Sequence, residues 1–358
     1  MTTAPTAAPA LSVDLEPFVT SPWLRNGHVM TVYAWARRRS FPHLPAAEVR
    51  LFQVSADTQV RADCFWQADR RAAPVLVALH GLESSSEAHY MRGLADHALA
   101  RGWSAVLLNQ RNCGGTEHLT PGLYHSGLTA DPLAVIRELV ERDGIGDVLV
   151  AGYSLGGNLA LKLSGELGGT GRLPVRGVVA ISPAADLDRC VRAIERRANY
   201  PYQWNFVRNL RSRMRRKVQC WPGSFDLTPL GGIWSIRKFD DVYTAPHHGF
   251  AGASDYYFKA SALRVIDRIQ IPTLVLTADD DPFVPGDQFR TPDWPANPNV
   301  TVRIERHGGH CGFIGSGAAG RDQYWAEAAA VKFLAAATGQ RAEGKGQRER
   351  RGSEGKGN

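Results

Sequence analysis

The run Gly152-Tyr153-Ser154-Leu155-Gly156, followed by Gly157, sets a serine between glycines. It ends the apolar stretch DVLVAGYS (147–154), which reads as a buried strand. It opens LGGNLALKLSGEL (155–167), which reads as a helix. A G-x-S-x-G turn in that context is a nucleophile elbow. The turn is tight enough to force Ser154 into a strained backbone conformation, and side chains at 152 and 156 would collide with neighbouring backbone. The hydroxyl then stands at a helix N-terminus, where the Leu155 N–H is aimed at a developing oxyanion.

A serine alcohol is a weak nucleophile until a base takes its proton, and the base needs an orienting partner. The expected chain order is Ser, acid, His. Among 11 histidines, His310 lies in Arg306-His307-Gly308-Gly309-His310-Cys311-Gly312, on a glycine-rich loop after the last strand pattern. His307 is its rival, nearer the strand end. The acid is sought in Asp279-Asp280-Asp281-Pro282-Phe283-Val284-Pro285, after the strand TLVLTA (273–278). Asp281, with proline at +1 and +4, fits a D-x-x-[VI]-P pattern. Asp280 is the fallback, Asp279 is expected to cap the turn, and Asp186 is an alternative acid position. The second oxyanion donor is the Leu82 N–H in the loop His80-Gly81-Leu82-Glu83, shaped by His80 and Gly81. His307 and His310 lack further ligands at zinc spacing. The chemistry calls for no metal and no organic cofactor.

These residues need a scaffold. VRLFQV (49–54) and VRADCFW (60–66) read as strands around a polar turn, and VLVALH (75–80) and SAVLLN (104–109) as strands buried on both faces. Helical patterns cover 86–101 and 131–142, the second capped at Asp131-Pro132. RGVVAIS (176–182), NVTVRIE (299–305) and a helix over 321–337 complete the alternation. The fold class is α/β: a mostly parallel sheet flanked by helices. Residues 186–250 interrupt it as a helical cap insertion between core segments 21–185 and 251–338.

The chain has 358 residues, 44% of them apolar, enough for a large core and far from a disordered composition. No run approaches the 18 or so apolar residues of a membrane span. The start MTTAPTAAPALS has no secretory pattern, so a cytoplasmic location is expected. Five scattered cysteines suggest reduced thiols rather than a disulfide framework. Net charge is +7, but residues 189–217 alone hold ten basic residues and one acid. Within them WNFVRNLRSRMRRKV (204–218) places Trp204, Val207, Leu210, Met214 and Val218 on one helical stripe, with arginines on the other faces. That stripe either packs on the body or lies on an anionic membrane. No nucleic-acid module accompanies the charge. Residues 1–20 and the basic tail 339–358 are expected to be flexible or disordered.

Beyond the elbow, the chain carries Pro22-Trp23-Leu24-Arg25-Asn26-Gly27-His28, Tyr124-His125-Ser126-Gly127, Phe239-Asp240-Asp241, Asp255-Tyr256-Tyr257 and His307-Gly308-Gly309-His310. Together with the elbow and the His80-Gly81 loop, these resemble the YheT-like branch of the α/β-hydrolase superfamily, over about residues 20–338. That branch also holds monoacylglycerol lipases, phospholipases and medium-chain ester synthases. One departure is Asn109-Gln110-Arg111-Asn112, where Asn-x-Arg-Gly is usual. Asn112 tolerates left-handed backbone angles better than most residues. The resemblance implies a serine hydrolase of hydrophobic or lipid-like esters, with Ser154, Asp281 and His310 as its triad. The same residues would serve an acyltransferase, and a non-catalytic binding protein on this scaffold is the remaining alternative.

Overall fold

The computed structural model describes residues 11, 13–168, 173–316 and 323–339. The expectations for residues 1–10 and for the tail from 340 lie outside these. Eight strands form one sheet in the order β1-β2-β4-β3-β5-β6-β7-β8. β1 (Glu48–Ser55) and β2 (Thr58–Phe65) pair antiparallel, and β2 runs antiparallel to β4 (Ser104–Leu108). From β4 onward through β3 (Val75–Leu79), β5 (Val148–Tyr153), β6 (Val175–Ile181), β7 (Thr273–Ala278) and β8 (Val300–Glu305) every pairing is parallel.

The continuous apolar runs are central strands because both faces are covered. In β3, Val75, Val77 and Leu79 pack on the side of helices α3 (Ala130–Glu141) and α4 (Leu155–Leu167). Leu76 and Ala78 pack with α2 (His89–Ala100) and the C-terminal helix Trp325–Ala337 on the other side. The helix expected over 131–142 begins one residue earlier, and Asp131 does not cap it. Its carboxylate instead accepts two 2.6 Å hydrogen bonds from Arg111.

Between β6 and β7 the chain leaves the sheet. It forms α5 (Leu187–Ile194), α6 (Tyr200–Cys220) and short helical turns before the helix Ala253–Ala260. A separate apolar cluster, including Leu187, Leu210, Phe239 and Tyr257, lies between these elements and the strand ends. The buried residues of α6 are Val207, Leu210, Arg213, Met214 and Lys217. The expected stripe is therefore corrected: Trp204 is exposed, Val218 is only partly covered, and two cations lie inside. The cause is the surface beneath, which offers acceptors. Arg213 binds Glu83 at 2.8 Å, and the Lys217 ammonium donates to Asn112 Oδ1 (2.8 Å) and to the Glu117 and Thr120 carbonyls. Burial lowers the Lys217 pKa to about 8.

Candidate active site

Ser154 sits at the end of β5 with φ 54° and ψ −116°, a left-handed strained conformation. A Cβ on Gly152 would stand 2.0 Å from the Gly156 carbonyl oxygen. One on Gly156 would stand 2.3 Å from that of Leu79. Both expected collisions are real. The close passage of α4 under β3 is what turns the Ser154 hydroxyl outward.

The Ser154 Oγ lies 2.9 Å from His310 Nε2. On the far side of the ring, Nδ1 lies 2.9 and 3.1 Å from the two Asp281 carboxylate oxygens. Nδ1–H therefore donates to Asp281, which leaves Nε2 to accept from the serine. The Asp281 carboxylate is fully covered, and one of its oxygens also accepts from the Phe283 (2.8 Å) and Val284 (3.0 Å) amides. Burial works to lower the His310 pKa. Against it the charge of Asp281, the neighbouring Cys311 and the hydrogen bonds to both act together and hold the imidazole well above its ordinary value. The edge of Phe283 closes over the His310 ring, with centroids 4.7 Å apart.

The three neighbouring aspartates have three different partners. Asp279 does not cap its turn; it pairs with Arg290 at 2.6 Å. Asp280 accepts from the Gly309 amide at 2.9 Å and meets His307 Nδ1 at 3.4 Å. Asp281 alone meets His310. The rival histidine is thus held by the fallback carboxylate. Asp186 is elsewhere, capping α5 by accepting from the Arg189 amide.

His80 is fully buried, and burial lowers its pKa to about 4. Its neutral ring donates from Nδ1 to the Gly81 carbonyl (2.7 Å) and accepts at Nε2 from the Gln110 amide (3.1 Å). These bonds bend the loop so that a Cβ on Gly81 would lie 3.3 Å from the Ser154 Cβ. Leu82 follows and, with Leu155 and Ser154, lines the same pocket. Among the described residues neither the Leu82 nor the Leu155 N–H is engaged in a hydrogen bond. Two free amides beside the serine are the donors an oxyanion needs. Asn112 has φ 64°, so the left-handed turn survives the departure from glycine.

Several positioning residues escaped the sequence reading. α1 (Gly27–Ala36) is capped by Asn26, whose side chain accepts from the His28 and Val29 amides. Gly27 lies so close to the acid loop that a Cβ there would fall 1.7 Å from the Asp280 carbonyl oxygen. Thr31 Oγ1 accepts from the His310 amide at 2.8 Å, and Ser182 Oγ accepts from the Cys311 amide at 3.1 Å. The Asn26-Gly27-His28 motif was the available signal, since it is a cap followed by a close approach. In the cap, Arg213 and Glu83 form an ion pair with both side chains at least 95% covered. The Tyr124 hydroxyl donates to Glu83 Oε1 at 2.9 Å and accepts from the Glu83 amide at 3.1 Å. The cap is thereby tied to the residue after Leu82.

The pocket beside Ser154 is a cavity of about 80 Å³. Leu187, Val191, Ile194, Phe206, Leu210 and Ile236 form an apolar wall contributed by the insertion. His125, Ser126 and Tyr256 form a polar end, where burial and nearby cations lower the His125 pKa to about 3. Arranged this way, the site can move a proton from Ser154 to His310 and hold an oxyanion on two amides.

Residues 74–316 match the alpha/beta hydrolase fold family. The protein YheT of Escherichia coli strain K12 is 34% identical over 322 residues, covering 88% of this chain and 92% of that one. Phospholipase ABHD3 of Mus musculus is 28% identical over 263 residues, covering 73% of this chain and 64% of that protein. Among solved structures, Est1E from Butyrivibrio proteoclasticus superposes with a TM-score of 0.53 at 14% identity, covering 81% of this chain and 99% of that one. This last likeness concerns the fold alone.

Proposed function

The chain belongs to the α/β-hydrolase fold family, in the branch of YheT, and from that premise we propose that it is a serine carboxylester hydrolase working through an acyl-enzyme. The observation that carries the reading is the unbroken line Ser154–His310–Asp281, with both links at 2.9 Å. Ser154 attacks the ester carbonyl while His310 Nε2 takes its proton. Asp281 stabilises the imidazolium and keeps the ring in register. The Leu82 and Leu155 amides hold the tetrahedral oxyanion. His310 then protonates the leaving alcohol, and water repeats the sequence to release the acid.

The apolar wall supports a hydrophobic or lipid-like ester as substrate. The insertion supplies most of that wall, over a cavity of about 80 Å³. The insertion therefore caps the site and supplies the surface an acyl chain would lie against, and 186–250 is its proposed extent. Contact with an anionic membrane through the basic insertion belongs to the same proposal. So does a cytoplasmic location, supported by five unpaired cysteines, three of them buried. The same residues would run acyl transfer if an alcohol replaced water.

A panel of p-nitrophenyl esters and monoacylglycerols, each with and without added ethanol, tests the reading. Free acid released from medium-chain esters supports hydrolysis. Ethyl ester as the main product moves the reading to acyl transfer. No turnover of any ester rejects both.

A further inference from the structure

We infer that the outer face of α6, continued by the exposed side of α1, docks on the surface of an anionic lipid bilayer. The two sides of α6 differ in what their cations do. Arg213 and Lys217 are buried under it, and Arg216 binds Glu117 at 2.6 Å. On α5, Arg189 and Arg192 are engaged by Asp186, Asp287 and Asp188. Among the described residues, Arg208, Arg211 and Arg215 have no carboxylate partner. They line an open groove of about 540 Å³ with Tyr200, Trp204 and Trp234, and among the described residues no acidic side chain lines it. The guanidinium of Arg208 lies 5.2 Å from the Trp204 ring centre, and that of Arg211 lies 5.1 Å from Trp234. Trp204 and Trp234 are 58% and 66% exposed.

α1 adds an apolar half. Its sequence GHVMTVYAWA holds no Asp, Glu, Lys or Arg, yet it packs only Gly27, Met30 and Ala34 inward. Val29, Val32 and Trp35 face solvent, as does Trp23 just before the helix. Arg25, Arg37 and Arg38 flank it. α1 meets the first turn of α6 where His28 stacks on Tyr202 and approaches its hydroxyl at 3.2 Å. Tyr202 in turn packs on Phe283, the residue that covers His310. Uncharged aliphatic and indole surface beside arginines free of carboxylates is the composition of elements that lie in a lipid headgroup layer. The guanidinium groups meet lipid phosphates and carboxylates, and the indoles sit at the polar–apolar boundary. The charge complementarity excludes a basic partner and favours an anionic one. The apolar helix beside it favours a surface with a hydrocarbon interior over a soluble anion.

The inference rests on the lipid-like-ester reading for its purpose, but its test does not require turnover. Ser154→Ala protein is mixed with vesicles of phosphatidylcholine alone or with about a third phosphatidylserine, at low and high salt, and sedimented. Binding to the anionic vesicles, weakened steeply by salt, is expected, because surface charges are screened within about 8 Å at physiological ionic strength. The triple variant R208Q/R211Q/R215Q should lose on the order of 10²-fold in partitioning, with each basic residue near such a surface contributing about equally. W35A should weaken binding at both salt concentrations. R70Q/R142Q, on other surfaces, should bind as the parent does. Failure of the parent to bind anionic vesicles at low salt, equal binding to neutral vesicles, or undiminished binding by the triple variant overturns the inference. Vesicle binding without esterase activity in the wild type would leave docking standing while the hydrolase reading falls.

Discussion

The strand-end loops and α6 use charged residues in contrasting ways. At the strand ends, three consecutive aspartates take three partners within one compact turn, two of them seated by backbone amides and the third by an arginine. The Phe283 and Val284 amides seat Asp281, the Gly309 amide seats Asp280, and Arg290 holds Asp279. On α6, arginines within one helix meet opposite fates. Arg213 is buried against Glu83, while Arg208 and Arg215 face solvent. The difference teaches that the strand ends place their side chains by rigid sheet geometry, whereas the helix that covers them turns inward the face that what lies beneath can partner.

Breaking the sheet side of this contrast should have the largest effect. Ser154→Ala should lower kcat on every ester by about 10⁴-fold or more while leaving the far-UV spectrum and unfolding midpoint intact. Retention of a tenth of wild-type activity would exclude Ser154 as the nucleophile.

Asp281→Asn should lose up to about 10⁴-fold through the wrong imidazole tautomer. Asp280→Asn, which disturbs only the Gly309 and His307 contacts, should lose on the order of 10-fold. Comparable losses would erase the distinction between the two carboxylates. The pH profile sharpens it. His310 must be neutral to accept the serine proton, and its pKa is raised in the free enzyme, so kcat/KM should rise with pH through a midpoint above the ordinary imidazole value of 6.5. Residual activity of Asp281→Asn should have a lower midpoint, because the charge that raises it is gone. A wild-type midpoint below 6.5 contradicts this.

Arg213→Gln tests the link between the regions. It leaves Glu83 buried without its cation, which costs about 3–5 kcal/mol when one partner of such a pair is removed. The double variant R213M/E83Q should recover much of the urea midpoint but not the turnover, since the cap no longer holds the loop of Leu82. Full recovery of both would make the pair a packing device only. Smallest of all, R208Q/R211Q/R215Q should hydrolyse a short soluble ester within about twofold of wild type, because none of the three lines the pocket beside Ser154 and none is held by a carboxylate among the described residues.

The sequence made the sheet side legible because its signals are local. Continuous apolar runs mark strands covered on both faces, and Gly152 and Gly156 mark a backbone crossing. Asp281 could be picked from its neighbours by the prolines that follow it. What separates Asp279 from Asp280 lies 11 and 29 residues further on, at Arg290 and Gly309, so composition alone misassigned Asp279. The contribution of Thr31 to the His310 loop spans 279 residues and leaves no local trace. On α6 the periodic reading grouped apolar residues and so took in Trp204 and Val218. The buried arc is turned toward Arg213 and Lys217, because Glu83, Asn112 and the carbonyls of Glu117 and Thr120 wait beneath them. Hydropathy does not register a cation whose partner comes from another element.

The central claim is that Ser154, activated through His310, is the nucleophile. Its most direct measurement is intact-mass and peptide-mass analysis after treatment with a fluorophosphonate, which phosphonylates an activated serine. Wild-type protein should gain one adduct, on the peptide containing Ser154, and both Ser154→Ala and His310→Ala should remain unlabelled. An adduct on another serine, or labelling of Ser154→Ala at the wild-type rate, would contradict the account.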